Sequence, residues 1–306
     1  MTERITRREA LLGLASASLL LSSYARKGME KGMNTRPIPS SGEQLPLVGL
    51  GTWIQFDVGN DNAERAPLTE VLNLMVQQGG KLIDTSPMYG RAEEVIGDLA
   101  AASPVREKLF YATKVWTTGE AAGIHQMDDS LRKMQRKTMD LVQVHNLTDW
   151  KTHLRTLQRR KAEGKVRYTG ITHYTTAAHA QLEQILKTEA VDFVQFNYSL
   201  RVRHAERSLL QAAQDKGVAV IINEPFEKGS LFSLTKGKTL PAWAADYDIQ
   251  SWAQFFLKYI LSHPAVTCAI PGTSSPKHVV DNMLAGHGAL PDEKGREKMA
   301  ALIESL

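Results

Sequence analysis

The chain has 306 residues, of which 42% are hydrophobic and 23% charged, and its formal net charge is +4. These values describe a globular protein long enough to bury a full core, as one α/β barrel or two smaller domains. They exclude an internal disulfide, since Cys268 is the one cysteine, and they give no Cys/His cluster with metal spacing and no long basic run, so neither a metal nor nucleic acid is an expected partner.

In chain order, the first segment reads as a leader. Arg4, Arg7 and Arg8 precede a small, apolar run from Ala10 to Ser23, too short to span a bilayer. The sequence Thr6-Arg7-Arg8-Glu9-Ala10-Leu11-Leu12 matches the twin-arginine export pattern, and small residues at Ser23 and Ala25 suit cleavage after Ala25. Residues 1–25 are therefore expected to be a signal peptide and the protein to be periplasmic or otherwise exported. A frayed amphipathic helix is the alternative, and would leave it cytoplasmic. No other segment is apolar enough for a span, so no stable membrane anchor is expected after cleavage. Residues 26–42, rich in Pro, Gly and Ser, read as a linker, and 43–306 as a single folded domain.

Within that domain, apolar strand-like runs alternate with segments of helical period. The runs cover residues 47–50, 81–84, 109–113, 141–145, 168–172, 193–197, 218–223 and 267–271. From Asp84 to Asn223 their ends recur every 25–31 residues, the length of a βα unit. Eight such units predict an α/β fold of the (β/α)8 TIM-barrel class. A doubly wound open sheet is the competing architecture. Its Gly-rich first turn is missing, because Gly49-Leu50-Gly51 has no third glycine and opens no helix. Residues 226–250 are an extra length before the last strand, and in a barrel they would form a loop over the catalytic face, a candidate lid or clasp.

Three strand ends carry the chemistry. Asp84 ends the second run and Tyr89 lies in the turn after it, Lys114 closes the third and His145 ends the fourth. In a barrel these ends share one rim. A carbonyl reduced by hydride needs a proton donor, and a tyrosine beside an ammonium is a better acid than a free phenol, because the positive charge favours the phenolate. Asp84 would hold Lys114, and a neutral His145 would orient the substrate oxygen. Each residue alone has a plainer reading: a helix cap, a packing aromatic, a solvated lysine, a core histidine.

The ordered motifs Gly49-Leu50-Gly51-Thr52-Trp53, Asp84-Thr85-Ser86-Pro87-Met88-Tyr89-Gly90, Ala112-Thr113-Lys114-Val115-Trp116, Val142-Gln143-Val144-His145, Gly164 to Thr172, Val194-Gln195-Phe196-Asn197-Tyr198 and Ile270 to Pro276 make the chain resemble the aldo-keto reductase family. The resemblance runs from about residue 36 to the C-terminus. It implies Tyr89 as general acid, Lys114 and Asp84 as its tuning pair, and His145 as the orienting residue. It implies an NADP cofactor, with NAD also possible, and a small carbonyl substrate. The implied cofactor contacts are Gly51, Thr52, Trp53, Thr172, His173, Gln195, Gly272, Thr273, Ser274, Ser275, Lys277, His278 and Asn282. Trp53 and Trp116 read either as pocket walls or as core. The sequence departs from the family at His173, where Asn is common, and at Asn223, where a stacking Tyr is common. It departs again at Gly272 and His278, where NADPH-using members place Lys and Arg. Two other readings compete: a nucleotide-binding barrel acting as a non-catalytic regulatory or binding subunit, and a lyase using Lys114 as a Schiff-base amine.

Overall fold

The computed structural model describes residues 32–306; the expected leader and its cleavage point lie outside them. Strands β1 (Thr35–Pro37) and β2 (Gln44–Pro46) pair antiparallel as a hairpin. Eight parallel strands follow: β3 (Leu50–Gly51), β4 (Leu82–Asp84), β5 (Phe110–Val115), β6 (Met139–His145), β7 (Val166–Thr172), β8 (Phe193–Asn197), β9 (Ala219–Asn223) and β10 (Val266–Ala269). They pair in sequence order from β3 to β10. Bridges from Val48 to Ala269 and from Gly51 to Gly272 close the sheet on itself. The helices between them are α1 (Asn62–Gln77), α2 (Ala92–Ala101), α3 (Glu120–Lys133), α4 (Trp150–Ala162), α5 (His179–Thr188), α6 (Leu209–Asp215), a short α7 (Ser230–Leu234), α8 (Trp252–Leu261) and α9 (Pro276–Leu284), with α10 (Glu293–Glu304) last. The expected (β/α)8 barrel is the observed fold.

The alternation of strand residues divides the core in two. Outward residues such as Ile83, Val142, Val144 and Ile171 pack with the helices into the larger cluster. Inward residues Leu82, Phe110, Leu141, Tyr168 and Phe193 fill the barrel's lower half. Phe110 stacks on Tyr168 at 5.9 Å and Tyr168 meets Phe193 edge-on at 5.6 Å. Continuing the same alternation upward puts Asp84, Lys114, Gln143, His145, Thr172 and Gln195 inside the upper half.

The barrel seam depends on glycine. A Cβ on Gly49 would stand 2.7 Å from the Leu82 carbonyl oxygen, and one on Gly51 would stand 2.8 Å from that of Ile270. The pair lets the short β3 fit between β4 and β10.

Residues 26–42, expected to be a linker throughout, are folded from Met33 onward. Ile38 and Leu45, fully buried, join the inward cluster and make the hairpin a floor for the barrel. Arg36 ties the hairpin to the barrel, donating to the carbonyls of His263 (2.8 Å), Leu261 (2.7 Å) and Val266. Pro- and Gly-rich composition disguised β1, a strand of three residues, too short to show a period.

Candidate active site

Asp84 ends β4, and the chain then turns so that Tyr89 reaches back over the barrel mouth. Gly90 follows with φ +56°, in the left-handed region, and a Cβ there would lie 2.2 Å from Asp57 Oδ1. That Asp57 oxygen accepts from the Arg91 amide at 2.9 Å and pins the turn.

Lys114, fully buried, donates from Nζ to Asp84 Oδ2 at 2.6 Å and to the Thr85 carbonyl at 2.7 Å. Its Nζ lies 5.0 Å from the centre of the Tyr89 ring. The other Asp84 oxygen accepts from Gln195 at 2.9 Å and from Gln143 at 3.3 Å. The carboxylate is thus held on both oxygens. Burial lowers the Lys114 pKa, but the negative charge of Asp84, with a further contribution from the neighbouring Tyr89, outweighs it, and the net direction is upward. Lys114 is an ammonium, the wrong form for an amine that attacks a carbonyl, and the Schiff-base reading falls.

Tyr89 departs from expectation. Burial raises its pKa, Lys114 lowers it, Asp84 raises it, and the net direction is upward. The phenol therefore keeps its proton at neutral pH. Lys114 limits the cost of the phenolate rather than producing a low pKa.

His145 meets Tyr89 edge-on at 5.7 Å. Burial, then the Lys114 charge, then His173 push its pKa down to about 2, so the ring is neutral. Its Nδ1 lies 2.8 Å from Ser86 Oγ, which itself accepts from the Met88 amide at 3.3 Å. With the Ser86 hydroxyl as donor to Nδ1, Nε2 carries the ring proton. Ser86 and Gln143 were not singled out from the sequence. Gln143 sits two residues before His145, and that spacing marks it as inward.

Asp84, Tyr89 and His145 line a cleft of about 840 Å³. Of the residues expected to contact a cofactor, Gly51, Thr52, Trp53, Thr172, Gln195 and Gly272 line it. Thr172 Oγ1 donates to Gln195 Oε1 at 3.1 Å, while Asn223 Nδ2 lies 3.4 Å from the same oxygen. Asn223 Oδ1, at the cleft wall, is buried without a partner. His173 stands beside the cleft, accepting at Nδ1 from the Thr175 amide and stacked on Tyr174 at 5.5 Å. Thr273 and Asn282 are buried, whereas Gly272, Ser274, Lys277 and His278 are exposed. Ser275 caps α9, its Oγ accepting from the His278 amide at 3.4 Å. The long loop does reach the mouth: Phe226, Lys228, Gly229 and Phe232 line the cleft. Trp53 and Trp116 are walls and not core.

Residues 47–301 match the sequence model described as Aldo/keto reductase family. The chain belongs to the aldo/keto reductase family. The methylglyoxal reductase YeaE of Escherichia coli is 30% identical over 259 residues, 82% of this chain and 89% of that protein. A NADH-specific methylglyoxal reductase of the same bacterium is 25% identical over 90% of this chain and 95% of its own. Among solved structures, a Klebsiella pneumoniae aldo/keto reductase in complex with NADP and acetate superposes with a TM-score of 0.72 at 26% identity, covering 86% of this chain and 93% of that one. Membership in the aldo/keto reductase family accords with the barrel and with a rim site of this composition.

Proposed function

We propose that the protein reduces an aldehyde or ketone to the alcohol, or runs the reverse reaction, using a nicotinamide nucleotide and Tyr89 as general acid. The convergence of a protonated phenol and a neutral imidazole in one cleft, with a buried ammonium 5.0 Å from the centre of the phenol ring, carries this reading. The mouth suits the nucleotide's carboxamide: the Thr172 hydroxyl and the Gln195 and Asn223 amides form a polar wall, and the unpartnered Asn223 Oδ1 is an acceptor for an amide N–H. NADP is the first expectation, supported by the NADP named with the Klebsiella structure. The NADH-specific relative makes NAD the second.

A nicotinamide held against Thr172, Gln195 and Asn223 would supply the hydride, and with it the two electrons, that the carbonyl carbon takes up. The residues do the rest. His145 Nε2 donates to the carbonyl oxygen and fixes its direction. Tyr89 transfers its proton to that oxygen as negative charge builds there. Lys114 faces the phenolate that remains, and Asp84, held by Gln143 and Gln195, keeps the ammonium in place. A pure binding barrel has no use for a buried ion pair set beside a phenol.

The test is Tyr89→Phe. General acid catalysis of this kind contributes about 10²–10⁴-fold. Turnover of a carbonyl panel with NADPH should fall by that much, with nucleotide affinity by fluorescence titration within about twofold of the parent. Near-normal turnover would remove Tyr89 as the acid.

A further inference from the structure

Three consecutive residues at the end of β4 hold the rest of the site. The Asp84 carboxylate and the Thr85 carbonyl both accept from Lys114 Nζ, at 2.6 Å and 2.7 Å. Ser86 comes next, and two of its groups reach the two donors assigned to the carbonyl oxygen. Its hydroxyl oxygen lies 2.8 Å from His145 Nδ1. Its main-chain carbonyl accepts from the Tyr89 amide at 3.0 Å and closes the turn that carries the phenol. Ser86 itself is fully buried. The His145 ring meets Tyr89 edge-on at 5.7 Å and Trp116 at 6.4 Å, but these apolar edges do not distinguish one ring nitrogen from the other. Among the described residues, Ser86 is the one polar partner of the imidazole.

Donors and acceptors around Ser86 Oγ settle where the protons go. Two groups of the described residues lie within hydrogen-bond distance of it: His145 Nδ1, and the Met88 amide at 3.3 Å. An amide nitrogen only donates, so Oγ is its acceptor. The hydroxyl proton is left with one acceptor, the lone pair of Nδ1. In the opposite tautomer Nδ1 would carry the ring proton and donate to Oγ. The serine proton would then have no acceptor at a position closed to water, an arrangement that folded proteins avoid. Nε2 would also turn a lone pair, and not a proton, toward a carbonyl oxygen in the cleft. Because the ring is neutral it has one proton to place, and the bond made by one nitrogen selects the state of the other.

Resting on the reductase reading above, we infer that Ser86 is a positioning residue for carbonyl reduction, its hydroxyl fixing His145 in the tautomer and orientation that donate to the substrate oxygen. The role belongs to the side chain. Alanine in its place keeps the main-chain bond to Tyr89 and removes only the proton that faces Nδ1. The imidazole then has no polar partner behind it, and its direction at the carbonyl is no longer held.

Two measurements test this. In the parent protein with isotope-labelled histidine, a proton–nitrogen correlation spectrum at neutral pH should show His145 with Nε2 protonated and Nδ1 bare, the signals being assigned by their loss in His145→Gln. A proton on Nδ1 overturns the proposal, and this result needs no turnover and no variant of Ser86. Ser86→Ala should lower kcat at least about tenfold, short of the roughly 10²–10³-fold that losing a whole donor to a developing oxyanion costs. Its affinity for NADPH by fluorescence titration should stay within about twofold of the parent, since the loss is confined to the reacting oxygen. The Nδ1 resonance of His145 should move in the same variant. An Nδ1 resonance that stays in place, or a kcat within about twofold of the parent, overturns the positioning role. A parent that reduces no carbonyl compound with NADPH or NADH removes the reductase reading and the catalytic role of Ser86 with it, while the spectrum still decides the tautomer.

Discussion

At the scale of single residues, the site is an exercise in placing charge where water is excluded. Lys114 and Asp84 are both buried, and breaking such a pair leaves the other charge stranded. Lys114→Met should therefore cost about 3–5 kcal/mol in a chemical denaturation series. It should also lower kcat for carbonyl reduction and move the alkaline limb of its pH profile upward, because the group that opposes the rise in the Tyr89 pKa is gone while Asp84 still favours the neutral phenol. An alkaline limb that stays in place would detach Lys114 from the phenol. His145 gives a second pH effect, on stability. Its folded pKa of about 2 lies below the ordinary value of 6.5. The neutral ring's contribution is present above pH 6.5 and is lost as pH falls toward the folded value. Between pH 6 and 4.5 this one group should subtract about 1.4 kcal/mol per pH unit from the unfolding free energy. His145→Gln should flatten the slope by that amount, and parallel slopes for the two proteins would contradict the burial argument.

At the scale of elements, the hairpin of β1 and β2 acts as a stopper under the barrel. Ile38→Ala should destabilise the fold by about 2–5 kcal/mol, the range for emptying a buried aliphatic site. Its position at the end away from Tyr89 predicts little change in kcat at temperatures where the variant is folded; thermal melts beside activity assays check both halves. The hairpin also shows where sequence reading stops. The eight barrel strands were legible because buried parallel strands are apolar runs with regular spacing, and the tetrad was legible because polar residues ended three of them. Ser86 and Gln143 were inside quoted motifs but silent, since a neutral hydroxyl or amide announces no chemistry until its partners are known. The upward direction of the Tyr89 pKa was missed for a related reason: the neighbouring cation was visible in the sequence, while the depth of burial was not.

At the scale of the whole molecule, the remaining question is which nucleotide the barrel prefers. Lys277, near the cap of α9, is exposed and is the cation that the sequence offers near the phosphate-binding loop expected at Gly272 to Ser275. A single exposed lysine contributes modestly to anion binding. NADPH should therefore bind less than about tenfold more tightly than NADH, from a charge contact of about 1 kcal/mol. Lys277→Ala should narrow that gap without weakening NADH; a variant that loses affinity for both equally would place the discrimination elsewhere.

The floor hairpin has one more consequence, for orientation. Met33 enters the fold against Gly79 and Gly286, on the face away from the mouth. An affinity handle, a fusion partner or a tether to a solid support joined directly at Met33 is attached at the closed end. A layer of the protein grafted through that end would present every cleft outward to the solution.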